Sequence, residues 1–287
     1  MEKDLLQLLQ AKRDGLSKSQ KRIADFVLEQ YDRVAYMTAA KLARAVGVSE
    51  STVVRFAMEL GFEKYPDFIR CLKEVARRKL TPNQRIRLAN ERLCDSQLIE
   101  TVLCSDIERI KSTLETIRRE DFYKAAELIC RAESVYILGV RSSSALASFL
   151  GYYLELFFAN VKVITSAGGS QLPEQMIHVG ERDTVIAISY PRYAKSISNA
   201  AAYAKKKNAM LVAVTDSADS PIGRLADVKL LAQSDMVSFA DSLVAPLSVL
   251  NALVAVIGNI REETVSRSFE RLEEMWDEYD VYDDIDD

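Results

Sequence analysis

The chain has 287 residues, 28% charged and 48% hydrophobic, with a formal net charge of −4. That length fits two domains of about 100–200 residues, each able to bury a core, and the composition excludes a disordered or fibrous chain. The opening MEKDLLQLLQ lacks the apolar run of a secretory signal. The apolar stretch 244–257, interrupted by Pro246, Ser248 and Asn251, is too short and polar for a membrane span of about 20 residues. Cys71, Cys94, Cys104 and Cys130 form no CxxC pair, so neither a zinc site nor a disulfide framework is expected. A cytoplasmic protein with no membrane partner, metal or cofactor is expected, since a reducing compartment fits unpaired cysteines.

The charge is unevenly spread. Residues 1–90 hold 18 Lys/Arg and 11 Asp/Glu, a balance of +7; residues 91–287 hold the remaining 20 and 31, a balance of −11. A basic head on an acidic body suits phosphate contacts with nucleic acid.

Residues 1–78 read as helical throughout. Ser17 is placed to cap a helix carrying Ile23, Phe26, Val27 and Tyr31 on one face. The segment 38–62, TAAKLARAVGVSESTVVRFAMELGF, carries the strongest signal. Thr38 caps a first helix with Leu42, Ala43 and Val46 inward; Gly47 ends it, where a left-handed residue is cheap. Ser49 caps a second helix with Val53 and Phe56 inward, and Gly61 closes it. Two short helices joined by a Gly-containing turn, with the small Ala43 at their crossing, make a helix-turn-helix. The second helix would enter the major groove of double-stranded operator DNA. Its outward N-terminal residues are Ser49, Glu50, Ser51, Thr52 and Arg55, with Arg55 suited to guanine or phosphate. Lys64 and Tyr65 are expected at the DNA backbone.

Residues 79–131 read as a linker and connecting helices, with Ile107, Ile110, Leu114 and Ile117 on one stripe. From residue 134 short apolar runs (135–138, 161–165, 185–189, 211–215, 229–231) alternate with helical stretches, which predicts βαβ units and a parallel sheet. Ligands of such sheets bind beyond the carboxyl ends of the strands. The first run leads into Gly139-Val140-Arg141-Ser142-Ser143-Ser144, hydroxyls at a helix start. The third leads into Ser189-Tyr190-Pro191-Arg192-Tyr193-Ala194-Lys195-Ser196, a candidate phosphate cradle in which Arg192 pairs as a fork and Ser196 caps a helix. The fourth leads to Ser220-Pro221, which reads as a cap followed by proline at a first helical position. Residues 132–265 form this domain and 266–287 a C-terminal helix and acidic tail. Residues 277–287 carry seven acids and no base, a solvated end.

With these runs in hand, the chain resembles the RpiR/MurR family of bacterial regulators, in which a helix-turn-helix domain precedes a SIS (sugar isomerase) domain. VSESTVVRFAMELGF with Lys64-Tyr65, ILGVRSS, ISYPRY and VTDSADSPIGRLAD carry the resemblance. It implies an all-α helix-turn-helix domain followed by an α/β domain with a five-stranded parallel sheet, SIS and Rossmann-like. It also implies a homodimer or dimer of dimers whose DNA affinity responds to a phosphorylated sugar. Ser142 and Ser143 would face the sugar; Ser189, Tyr190 and Arg192 would hold the phosphate. Two departures stand out. Arg141 occupies a position usually filled by a small residue, and Pro191, Arg192 and Ala194 replace the Ser, Gly and Thr of the usual second loop.

A SIS-fold isomerase is the alternative, since fold does not imply function. It needs a tuned base. His178 is the only histidine, and nothing in the spacing of Glu155 or Glu174 singles them out. A third class, a sensor that regulates another protein instead of DNA, fits poorly with the basic head.

Overall fold

In the computed structural model the described residues are 5–79, 83, 84, 86, 98–166, 171–234 and 240–281. The chain divides into two compact units that meet in sequence between Leu98 and Ile99.

The first unit is a helical cluster: α1 (Leu5–Lys12), α2 (Lys18–Glu29), α3 (Tyr31–Val34), α4 (Ala39–Val46), α5 (Glu50–Glu59) and α6 (Tyr65–Lys79). Capping sets its boundaries. Ser17 forms a capping box with Gln20 at α2; Thr38 accepts from Lys41 N at 3.2 Å to start α4; Ser49 accepts from Thr52 N at 3.2 Å to start α5. Each satisfies an otherwise orphaned N–H. Gly47 takes the left-handed conformation (φ 72°), so its own N–H and that of Val48 both reach Ala43 O. Ile23, Val27, Leu42, Ala43, Val53, Phe56, Phe68 and Leu72 are buried. Phe56 and Phe62 both meet Phe68 edge-on, at 5.9 and 5.6 Å between centroids. Tyr31, expected on the buried face of α2, lies past its end, half-buried at the start of α3.

The second unit begins with α7 (Leu98–Thr116) and α8 (Arg119–Arg131). There follow β1 (Val135–Gly139), α9 (Ser143–Phe157), β2 (Val161–Ile164), α10 (Gln171–Gln175), β3 (Thr184–Ile188) and α11 (Lys195–Lys206). The unit closes with β4 (Met210–Thr215), β5 (Val228–Leu231), α12 (Val244–Ile260) and α13 (Glu262–Glu278). The five strands are all parallel in the order β2-β1-β3-β4-β5. Both faces are covered, as an all-parallel sheet requires, and β1 and β3 are buried at every residue. One layer holds Phe122, Ile129, Leu146, Leu150, Leu250 and Leu253; the other holds Tyr136, Ile197, Ala201 and Ile222. The apolar stretch 244–257 is thus a core helix. Among the described residues no single helix is long and apolar enough to cross a membrane.

Two local expectations are corrected. Ser220-Pro221 starts no helix; turns follow, because the chain must return to β5 within a few residues. The Ser220 hydroxyl accepts from Gly223 N at 3.0 Å and caps a turn instead. Ser196 does not cap α11, whose N-cap is Ala194 without a side-chain bond. Cys94 and most of the charged linker, like residues 282–287 of the tail, lie outside the described residues.

Gly139 ends β1 against α9. A Cβ there would lie 2.6 Å from Ser143 O and 2.8 Å from Ala147 Cβ. Gly139→Ala is therefore expected to destabilise this unit by about 1–3 kcal/mol through overpacking, seen as a lower urea midpoint. Tyr65 is buried at the start of α6 and its hydroxyl donates to Met37 O at 3.0 Å. Burial pushes its phenol well above the ordinary pKa. Tyr65→Phe is expected to cost the helical unit about 1 kcal/mol, measured by chemical denaturation.

Candidate functional sites

The first site is the outward face of α5. Ser49, Glu50, Ser51 and Arg55 are exposed and Thr52 half-exposed, while Val53, Phe56 and Ala57 face the core. The Ser49 hydroxyl lies 2.9 Å from that of Ser51 and 2.7 Å from that of Thr52. Three hydroxyls thus cluster where the N–H groups at the start of α5 favour an anion. Arg55 lies one turn on, its Nε donating to Ser51 O at 3.3 Å. Lys64 is exposed just before α6. Tyr65 departs from expectation: its ring packs beside Phe68 at 6.0 Å and its hydroxyl is held inside the unit. Spacing placed it next to Lys64, but α6 begins there and turns it inward.

The second site lies at the carboxyl ends of β1 and β3. The strand order reverses direction between these two neighbours, so the loops leaving them diverge and open a crevice. Gly139 is in register with Ile188, which sets residues 140–143 beside residues 189–194. In the first loop Arg141 takes φ 58°, a left-handed conformation that costs a non-glycine residue roughly 1–2 kcal/mol. Ser142 is exposed at the N-cap of α9 and makes no capping bond; Ser143 is buried at its first position. The Ser144 hydroxyl instead donates to Arg141 O at 2.6 Å, closing the turn.

In the second loop Ser189 is 3% exposed. Its N–H donates to Val214 O at 3.1 Å and its carbonyl accepts from Thr215 Oγ1 at 2.8 Å. Tyr190, expected against a phosphate, is 6% exposed and belongs to the core layer beneath the loop. Arg192 is exposed. Further along, Tyr193 donates to Asp216 Oδ1 at 2.9 Å. Thr215, Asp216 and Tyr193 thus brace the loop, a role the sequence reading did not give them. A polar Thr-Asp pair at the end of an otherwise apolar strand was the available signal. The crevice offers an exposed guanidinium, hydroxyls and helix N–H groups, a set suited to a polyhydroxyl anion.

His178 is exposed at the opposite end of the sheet, in a cleft of about 320 Å³ with Tyr136, Lys162 and Asp183. That cleft is internally satisfied: Lys162 Nζ donates to Tyr136 Oη at 3.0 Å, and Asp183 accepts from Ser134 N at 3.1 Å and Gly180 N at 2.8 Å. Among the described residues no group of three His, Cys, Asp or Glu side chains is placed to hold a metal.

Comparison with known proteins places both units. Residues 3–77 match the helix-turn-helix domain of the rpiR family and residues 128–256 match the SIS domain. The sugar isomerase domain of an RpiR transcription factor from Sphaerobacter thermophilus is 32% identical, with a TM-score of 0.60. The match covers 62% of this chain and 99% of that one. The Vibrio vulnificus NanR protein, in complex with ManNAc-6P, shares the fold over 95% of this chain and 97% of its own (TM-score 0.59, 23% identity). The Escherichia coli transcriptional regulator HexR is 26% identical over 231 residues, 79% of this chain and 77% of HexR. With a helix-turn-helix on one unit and a SIS crevice on the other, the chain belongs to the RpiR family of transcriptional regulators.

Proposed function

We propose that this regulator binds operator DNA through α5 and takes a phosphorylated sugar in the crevice between the loops after β1 and β3. The register of Gly139 with Ile188 carries the effector half of this reading, because it sets two polar loops at the sheet's switch point. Ser142 and Ser143 serve the sugar; Ser189 and Arg192 serve the phosphate, Arg192 as the charge. Tyr190 acts from below, as the floor that holds Ser189 in place. On the DNA side Ser49, Glu50, Ser51, Thr52 and Arg55 meet the groove, and Lys64 meets a phosphate.

The protein works as a homodimer in the cytoplasm. Residues 1–78 are the DNA-binding domain, 132–265 the strand-bearing part of the sensor, and 266–287 a terminal helix and tail; of the expected connection 79–131, α7 and α8 pack with the sensor unit. It is not an enzyme on this reading. Its one histidine sits at the amino ends of the strands, away from the crevice, and Glu155 and Glu174 are exposed. The sugar changes DNA affinity only to the extent that it binds one arrangement of the protein better than the other.

A ligand that binds only the native state stabilises it by about 2.7 kcal/mol at a hundredfold excess over its dissociation constant. Thermal melting against a panel of sugar phosphates, ManNAc-6P included, is expected to single out one that raises the melting temperature. The unphosphorylated sugar should not, and Arg192→Ala should lose the response. An Arg192→Ala variant that keeps the full response to the phosphorylated sugar would remove the phosphate role of Arg192. For DNA, Arg55→Ala is expected to weaken operator binding by about 1–3 kcal/mol and to relax base preference. Lys64→Ala should lower the salt slope by about one counterion, and Tyr65→Phe should leave it unchanged. Equal operator binding by wild type and Arg55→Ala would refute the α5 assignment.

A further inference from the structure

Helix α7 is amphipathic the wrong way round. Its buried residues are Arg109 and Thr113. Arg109 pairs with Asp106 at 2.7 Å, Asp106 accepts from Ser242 Oγ at 2.7 Å, and Thr113 Oγ1 accepts from Gln233 N at 3.0 Å. The helix therefore holds its own unit with a polar face. Its apolar face points to solvent: Ile99 is 71% exposed, Leu103 58%, Ile107 51%, Ile110 39% and Leu114 69%. A helix fitted to a monomer turns its apolar stripe inward.

We propose that a second copy of this chain covers this stripe, the two α7 helices packing antiparallel about a two-fold axis beside Ile107. The spacing of the stripe argues for a copy of itself. An antiparallel two-fold there sets Leu103 opposite Ile110 and Ile99 opposite Leu114, and brings the two copies of Ile107 side by side next to the axis. Every apolar side chain meets another, which is the self-complementarity an isologous interface needs. The steps of four, four, three and four residues keep the five side chains on one face of the helix. Charge does not oppose the pairing. Glu108 and Lys111, which border the stripe, already pair with each other at 3.0 Å, and antiparallel helices align their dipoles favourably. The five side chains offer on the order of 500 Å² of exposed surface, against about 800 Å² per partner in a standard interface. The stripe is thus the centre of the contact, with flanking residues completing it. The pairing specifies where the copies of the proposed homodimer meet and rests on that reading for the copy number alone.

The test is sedimentation equilibrium of the full chain as wild type, Leu103→Glu, Ile110→Lys and the double variant. Both substituted side chains are solvent-facing within one copy, so each variant should still fold, with an unchanged circular dichroism spectrum. Wild type is expected to dimerise, and each single variant to loosen the dimer by at least about tenfold. The double variant should recover, because each new acid then faces a new base across the axis. Ile107→Cys in a Cys104→Ser background should cross-link to its equivalent on mild oxidation, and Ile99→Cys should not; this serves if a charged variant fails to fold. A wild-type monomer overturns both the dimer and the pairing. A wild-type dimer that the single variants leave intact overturns the stripe alone, and single variants that dissociate without rescue overturn the antiparallel register.

Discussion

The second unit depends on one close approach. At Gly139 the N-terminal turn of α9 comes so near to the end of β1 that a methyl group would overlap a carbonyl oxygen and a side chain. That approach lets α9 leave the sheet at once. The loop after β1 is then short, and it lies beside the loop after β3 because Gly139 and Ile188 are paired. A parallel sheet can bring two such loops together only where its order reverses. The crevice therefore follows from sheet order and from a missing side chain, before any polar residue is placed in it.

What fills the crevice is supported from behind. Thr215 and Asp216, at the end of the adjoining strand, hold Ser189 and Tyr193 by short hydrogen bonds. Tyr190 anchors the same loop in the core layer. A loop fastened at three points can present Arg192 without ordering it afresh on binding, which lowers the cost of recognition. Arg141, in the loop after β1, takes a left-handed turn that a glycine would adopt without strain. An exposed cation is thus carried on a strained backbone.

The first unit solves a different problem. It is small, so its stability rests on caps at α2, α4 and α5 and on an aromatic cluster around Phe68. Those features leave the outer face of α5 free for polar residues. In α7 the same physics runs in reverse: polar groups are spent on holding the helix to its own unit, and the apolar stripe is left outward.

Much of this was legible in the residues alone. Ser17, Thr38, Ser49 and Gly47 mark helix ends because capping is a contact between near neighbours. The five apolar runs mark the strands to within a residue or so, because a doubly covered strand needs an unbroken apolar run. The outward face of α5 followed from its period. Other features depended on what lies across space. Tyr65 and Tyr190 sit next to polar residues in sequence but point into cores built by distant segments. Ser220 reads as a helix cap, yet the short path to β5 allows only turns. The stripe on α7 was visible as a stripe, but its direction was not, since Asp106 and Thr113 are held by Ser242 and Gln233 from more than a hundred residues away. Sequence by itself determined periodicity, capping and the order of elements, which are short-range properties. Only the tertiary structure decided which face of each element is covered, because burial is a property of neighbours that the chain brings together last.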